Sequence, residues 1–293
     1  MGMLGQPIVI TANCQGGTPL KYFIIDRGDP LSIDLHKRFI ALAADCDLHL
    51  DEQEPDIVLS IGGDGTMLQA FHGYQHRLDQ IAFVGMHTGR LGFFADWRPE
   101  ELETMVRVMA RPLEALGSRI VQYPLLEIEI QGENGTETRL ALNEFTIKGI
   151  EETMVAQLNV NDVIFEMFRG DGICLSTPSG STAYNKSLGG AVIHPSIECF
   201  QVTEIASINN RVFRTVGSPL IVPKHHHCDI YPQAGKRMSL SLDHLSYQRS
   251  DLQSIRVSVS SQTIRFARYR PYPFWNRVQR AFIGQDPGDM DNN

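Results

Sequence analysis

Basic residues are the scarcer charge in this 293-residue sequence: 26 Lys and Arg stand against 34 Asp and Glu, a formal net charge of −8. A nucleic-acid-binding face needs clustered cations, so the composition argues against that class of partner. The two strongest basic clusters, Arg265 to Arg270 and Arg277 to Arg280, are short and read as solvated surface. Five cysteines (Cys14, Cys46, Cys174, Cys199 and Cys228) are scattered and never spaced as C-x-x-C. That excludes a disulfide framework or zinc cluster and fits reduced thiols in a cytoplasmic protein. No apolar run approaches membrane-spanning length, and the N-terminus has no basic region followed by an apolar block, so no membrane association is expected. Met1-Gly2 opens like a myristoylation signal, but Gln6 stands where Ser or Thr is needed. Two familiar nucleotide signatures are missing as well. Gly170-Asp171-Gly172 is followed by Leu175 where the dinucleotide fingerprint has its third glycine, and no Walker-type Gly-Lys-Thr occurs.

What the chain does have is size and pattern. Its length allows two domains, and 42% hydrophobic residues supply real cores. The first third alternates strand and helix signals. Ile8 to Ile10, Ile57 to Ile61 and Ile81 to Val84 read as strands, and Leu31 to Ala44 and Glu100 to Met109 as helices. This rhythm predicts an α/β domain with a parallel sheet and a ligand site at the carboxyl ends of the strands. Beyond Pro112 the pattern changes. Leu126 to Ile130 alternates, Asn134-Gly135 signals a hairpin turn, and a strand is expected from Leu140 to Ile147. Short strands recur at Val155 to Val160, Val163 to Phe168, Met238 to Leu242, Ile255 to Val259 and Ile264 to Ala267, a mainly antiparallel β domain. The boundary is expected near Pro112 to Gly117. The domains are therefore 1–114 and 115–270, with a segment 271–293 that carries a last helix (Pro273 to Phe282) and a disordered acidic tail.

Two segments ask for the same kind of ligand. Gly62-Gly63-Asp64-Gly65-Thr66 lies between an apolar strand and a helix-like stretch, Met67 to Phe71. Glycines let backbone approach an oxyanion, and a helix N-terminus supplies N–H donors. A carboxylate there repels phosphate unless it holds a metal ion or takes a proton, which makes Asp64 the foremost catalytic candidate. The plainer alternative is that Asp64 caps the helix. The second segment, Thr177-Pro178-Ser179-Gly180-Ser181-Thr182-Ala183-Tyr184, concentrates hydroxyls before a helix-compatible run and adds Lys186. Its Ser and Thr serve as local caps in part. The set also suits a ribose, an adenine ring and a pyrophosphate, with Arg169 and Asp171 just upstream. Asn143-Glu144, in an otherwise apolar strand, is a polar pair that needs a reason. Asn matches both the donor and the acceptor edges of adenine, and Glu accepts from vicinal ribose hydroxyls.

In combination these blocks resemble the NAD kinases of the bacterial type. The resemblance runs through Gly62 to Thr66, Gly85 to Phe93, Asn143-Glu144, Asp171 to Tyr184, Gly189-Gly190 and Glu204 to Asn209, in order and over most of the chain. It implies transfer of a phosphoryl group from ATP or polyphosphate, with a divalent metal such as magnesium, to the 2′-hydroxyl of the adenosine ribose of NAD. Asp64 would activate that hydroxyl, and Gly62, Gly63, Gly65 and Thr66 would receive the donor phosphates and metal. Asn143, Ser179, Thr182 and Ala183 would surround the adenosine half, Glu144 and Tyr184 the riboses and pyrophosphate, with Asn185, Lys186 and Ser187 following on. Phe93 would lie beside the dinucleotide and His244 near the phosphorylated position. Arg169, Asp171 and Ala206 would seat the nicotinamide end, partly from a neighbouring subunit of a homo-oligomer, a homotetramer by expectation. His87 departs from the commoner Asn, and Ser179 from the commoner Thr while keeping the hydroxyl.

Two rivals share features. Diacylglycerol-kinase-type lipid kinases have a Gly-Gly-Asp-Gly-Thr loop, but with an Asn-Glu pair almost directly after it. A non-catalytic dinucleotide sensor would have no use for Asp64. His225-His226-His227 invites a metal reading, but only His225 and His227 share a strand face, and no carboxylate is expected at ligand spacing. Tyr272, Phe274 and Trp275 read as an aromatic anchor of the last helix.

Overall fold

The computed structural model describes residues 19–89, 91–110, 120–271 and 273–284. The strand expected at Ile8 to Ile10, the boundary at Pro112 to Gly117, Tyr272 and the tail beyond Gly284 lie outside those residues. The first domain runs β1 (Leu20–Asp26), α1 (Pro30–Ala44), β2 (Leu48–Leu50), β3 (Ile57–Gly62), α2 (Asp64–Tyr74), β4 (Ala82–His87) and α3 (Leu102–Met109). α1 starts where Asp29 accepts the N–H groups of Leu31 and Ser32 and Pro30 takes the first turn. The strands are parallel, in the order β2-β1-β3-β4. Every residue of β3 and β4 is buried, as their unbroken apolar runs predict. On one face Leu35 and Phe39 of α1 and Met105 and Met109 of α3 pack on Ile57, Leu59 and Ile61. On the other, Met67 and Phe71 of α2 cover Val58 and Phe83.

The remainder is mainly β. It comprises β5 (Ile120–Gly132), β6 (Gly135–Ala141), β7 (Glu144–Gly149), β8 (Met154–Val160), β9 (Val163–Gly170) and β10 (Gly172–Ser176). The short α4 (Tyr184–Ser187) is followed by β11 (Cys199–Ile205), β12 (Leu220–Pro223), β13 (His227–Pro232), β14 (Met238–Leu242), β15 (Leu245–Arg249), β16 (Leu252–Ala267) and α5 (Phe274–Phe282). Six strands form an antiparallel sheet in the order β12-β11-β10-β7-β14-β15. Phe145, Ile147, Ile173 and Leu175 of that sheet share a core with Leu126, Ile128, Ile255 and Val257 of the other. The strands expected at Ile255 to Val259 and Ile264 to Ala267 are one, β16, with an irregularity between Val259 and Thr263. β16 pairs with β5 along its length, with β13, and in parallel with β4 at Phe266 opposite Phe83. One ten-stranded sheet therefore runs from the first domain into the second.

The single strand expected from Leu140 to Ile147 is divided. β6 belongs to the large sheet and β7 to the smaller one, and the chain crosses at Leu142-Asn143. The crossing is possible because Asp243 accepts the N–H groups of Leu142, Asn143 and Glu144, so those donors need no strand partner there.

Two arginines that read as surface are buried. Arg268 and Arg277, only 6% and 7% exposed, both bind Asp96, at 2.8 and 2.6 Å. Arg268 also donates to the Phe94 carbonyl, and Arg277 to those of Gly92 and Ala95 at 2.8 and 2.5 Å. α5 is thereby held on the first domain. The aromatic anchor is Phe274, 3% exposed, while Trp275 points outward at 58%, contrary to its expected anchoring role. Asp96→Ala removes the carboxylate that both buried guanidinium groups bind. It should cost about 3–5 kcal/mol in urea denaturation, and a loss below ~1 kcal/mol would show that the arginines find other partners.

Candidate active site

The glycine loop turns directly off the carboxyl end of β3. Neither Gly63 nor Gly65 has another atom within 4 Å of where a side chain would sit, so this face of the turn is open. Asp64 is the first residue of α2, yet α2 has no side-chain cap. Its carboxylate instead accepts the Phe93 N–H at 2.9 and 3.1 Å and the Phe94 N–H at 3.1 Å. The helix-cap alternative is therefore set aside. Gly92 is required next to this carboxylate, since a side chain there would collide with it. Burial pushes the Asp64 carboxyl above the usual carboxylate range. The two amide donors oppose that push, as do the positive charges of Arg277 and Arg268.

The other half of the site is assembled by a residue that sequence reading missed. Asp243, at the turn between β14 and β15 with φ +52°, accepts the three N–H groups around Asn143 at 2.7–3.1 Å. It also lies 2.8 Å from His72 Nε2 of α2. Thr177 locks the hydroxyl-rich turn to the same segment: its N–H donates to the Asn143 carbonyl, and its hydroxyl donates to the Leu142 carbonyl. Gly180 sits so close to the Asn143 backbone that no side chain fits. The Ser181 hydroxyl donates to the Pro178 carbonyl and accepts the Ile193 N–H. Asn185 is wholly buried and accepts from Thr203 at 2.7 Å. These groups hold structure. By contrast Asn143 Oδ1, Ser179 Oγ and Glu144 Oε2 are buried without a partner.

The orphaned Asn143 and Ser179 atoms belong to residues around a cavity of about 220 Å³, lined by Asp64, Leu91, Gly92, Phe93, Phe94, Asn143, Ser179, Thr182, Ala183 and Phe282. Six expected residues meet there: Asp64, Phe93, Asn143, Ser179, Thr182 and Ala183. Glu144 adjoins them, its carboxyl pushed up to about 8 by burial and by the Asp243 charge, against the Tyr184 N–H. The Tyr184 hydroxyl accepts from Lys148 at 2.8 Å, a partner not foreseen. Lys186 Nζ sits 4.2 Å from the Phe282 ring centre, and Ser187 is exposed. His244 meets His72 edge-on at 5.2 Å, and burial together with His72 lowers its basicity. His87 Nδ1 bonds the Gly89 carbonyl, while its buried Nε2 has no partner.

Arg169, Asp171 and Ala206 lie elsewhere in the chain's own fold. Gly172 pairs with Lys148 and Ile205, whereas Ser176, at the cavity end of β10, pairs with Glu144 and Gln201. The two ends are roughly 13 Å apart at strand rise. Ala206 has φ +47°, and Arg169 lies over the Phe213 ring at 4.3 Å. The histidine run differs from expectation too. His227 approaches Asp162 at 3.1 Å and Asp229 at 3.5 Å, carboxylates judged absent from sequence spacing. Arg256 already forks onto Asp229 and occupies both oxygens of that carboxylate. Of the other unforeseen residues, Asp96, Arg268, Arg277 and Phe282 carry no local signal. Gly92 lay inside the Gly85 to Phe93 block but was given no role of its own.

Comparison with known proteins gives a consistent result. Family models described as the ATP-NAD kinase N-terminal domain and the ATP-NAD kinase C-terminal domain match residues 45–111 and 142–269. The chain is 54% identical over 268 residues to NAD kinase 1 of Bacillus subtilis (strain 168), covering 91% of the chain and 99% of that protein. NAD kinase 1 of Listeria monocytogenes serovar 1/2a is 52% identical over 266 residues, 90% of the chain and 99% of the relative. Among solved structures, yeast NADH kinase complexed with NADH superposes with a TM-score of 0.77 at 19% identity, over 92% of this chain and 89% of that one. An Archaeoglobus fulgidus NAD kinase in complex with ATP gives 0.70 at 21%, over 89% and 99%. At those identities the likeness is one of fold.

The Glu144 environment yields a test of its own. The folded chain holds this proton up to about pH 8, whereas the unfolded chain releases it near the ordinary glutamate value of 4.5. The ionised side chain thus costs stability progressively as pH rises between those values. Glu144→Gln should raise the melting temperature relative to wild type by at least about 3 °C above pH 8, with the gap shrinking towards pH 5. A gap independent of pH would contradict the assignment.

Proposed function

The chain belongs to the ATP-NAD kinase family, and we propose that its cavity binds the adenosine half of NAD with Asp64 taking the proton of the ribose 2′-hydroxyl. The enzyme phosphorylates NAD to NADP. The lipid-kinase alternative falls with the family, and a binding-only role leaves the cavity carboxylate without a purpose. One observation carries the reading. The Asp64 carboxylate and the unpartnered Asn143 and Ser179 atoms belong to residues that line one cavity. An adenine edge would satisfy the Asn143 amide, and Ser179 has a hydroxyl free to pair with the same ligand. Glu144, protonated or ionised in the same neighbourhood, can pair with ribose hydroxyls. Tyr184, tied to Lys148, stands beside it.

Asp64 suits proton transfer because burial makes its carboxyl more basic than an ordinary one, while Phe93 and Phe94 fix its direction. With ATP as donor, its phosphates would meet the open turn at Gly63 and Gly65 and the N-terminus of the 11-residue α2. Asp64 is the only carboxylate lining the cavity among the described residues, and both its oxygens already accept amide N–H groups. This donor set suits a magnesium ion carried chiefly by the donor phosphates, where it would neutralise their charge, with Asp64 its one protein ligand.

Arg169, Asp171 and Ala206, outside the chain's own cavity, would complete the site of a neighbouring subunit in a homotetramer. Support comes from β9, the terminal strand of the large sheet, which exposes Val163 and Ile164 at 67% and 66% together with Phe165 and Met167. Such an edge invites a partner. No described helix is long and apolar enough to cross a membrane. The four described cysteines are free thiols, which supports a cytoplasmic setting.

Two measurements test this function. With NAD, ATP and magnesium, Asp64→Asn should lower the rate of NADP formation by ~10²–10⁴ while NAD affinity changes only a few-fold. Near-normal turnover would remove Asp64 from the mechanism. Inactive Asp64→Asn and Asp171→Ala subunits, mixed and reassembled, should recover part of the activity. A fully active monomer on size-exclusion chromatography, or no recovery despite proven exchange, would rule out shared sites.

A further inference from the structure

The cavity has one wall that neither domain core supplies. Phe282, the last residue of α5, lines it and lies against Phe93 with ring centres 5.9 Å apart and planes 24° from parallel. Its base is rigid. Phe274 at the start of α5 is buried against Phe93 and His194, and Arg277 grips the Gly92 and Ala95 carbonyls and Asp96. Phe282 itself remains 37% exposed, so its ring does not finish a core. The Lys186 ammonium rests over that ring.

We propose that Phe282 is a substrate-contacting residue, the aromatic wall against which the base of the bound dinucleotide packs. The assignment rests on reading the cavity as the adenosine site. A flat heteroaromatic ring bonded at its edge by Asn143 and Ser179 needs apolar surface over its faces. Leu91, Phe93 and Ala183 provide part of that surface and Phe282 the remainder. A base against a ring is favourable whatever its hydrogen-bond pattern, because every base has an apolar face. Phe282 also keeps Lys186 beside it, where the negatively charged phosphates carried by the adenosine ribose would pass. Arg277 and Phe282 share one helix. The helix that holds the Gly92 to Ala95 loop against Asp64 thus also carries the wall of the substrate cavity.

Steady-state kinetics with varied NAD and varied ATP test the proposal on Phe282→Ala, Phe282→Leu and Phe282→Tyr, each checked by thermal melting. Phe282→Ala should raise the KM for NAD by about 5- to 100-fold, with a smaller change in kcat and a KM for ATP within about twofold. Phe282→Tyr should restore the KM for NAD, and Phe282→Leu should fall between. Leu and Tyr keep apolar bulk at the helix end, so they report on the contact even if the alanine variant unfolds. A wild-type KM for NAD in folded Phe282→Ala, a rise shared equally by ATP, or no rescue by tyrosine overturns the proposal. Failure of the unmodified enzyme to make NADP would instead overturn the functional reading beneath it.

Discussion

Asp96 receives two guanidinium groups in a site closed to water, and the loop that holds the Asp64 carboxylate hangs from that cluster. Arg268 arrives from the end of the longest strand and Arg277 from the last helix. Between them they also take the carbonyls of Gly92, Phe94 and Ala95. With those carbonyls fixed, the N–H groups of Phe93 and Phe94 point the other way, onto Asp64. A loop of this kind would otherwise carry unsatisfied backbone groups into the interior, at a cost of a few kcal/mol each. The arginines remove that cost and set the direction of the carboxylate in one arrangement.

Asp243 does the corresponding work on the opposite side of the cavity. Its carboxylate collects three consecutive N–H groups, which lets the chain leave one sheet and enter the other while Asn143 lines the cavity. His72 ties that carboxylate to α2, whose first residue is Asp64. The Asn143 and Asp64 sides of the cavity are thus linked through one helix. The contrast between filled and unfilled groups defines the site. Thr177, Ser181 and Asn185 spend their polar atoms inside the protein, whereas Asn143, Ser179 and Glu144 keep buried atoms in reserve.

Much of this was readable from the chain alone. The run Ile57 to Ile61, the glycine turn and the helix after it are local features, and local chemistry decides them: a largely apolar run rich in Ile and Val favours a buried strand, and clustered glycines end it. The order of the blocks from Gly62 to Asn209 carried the family in the same way. Hydroxyl crowding at Thr177 to Thr182 marked a turn that would both cap itself and face a ligand. Expectation failed where one residue type has two common uses. Arg268 and Arg277 belong to short basic clusters, a surface pattern, and nothing adjacent to them signals burial. Leu140 to Ile147 has the composition of one strand, and its division depends on a carboxylate far along the chain.

What the sequence by itself determined was the strand, glycine turn and helix around Asp64, the change from an α/β to an antiparallel β pattern, and the order of the blocks, because each depends on neighbours within a few residues. Only the tertiary structure decided which charges are paired, where Phe282 points and which polar atoms stay free. Asp96 meets its arginines across 172 and 181 residues, and Asp243 reaches Asn143 across 100. Over such separations, a side chain's partner is set by how strands and helices pack, and the same arginine is solvated or buried according to what the fold brings beside it.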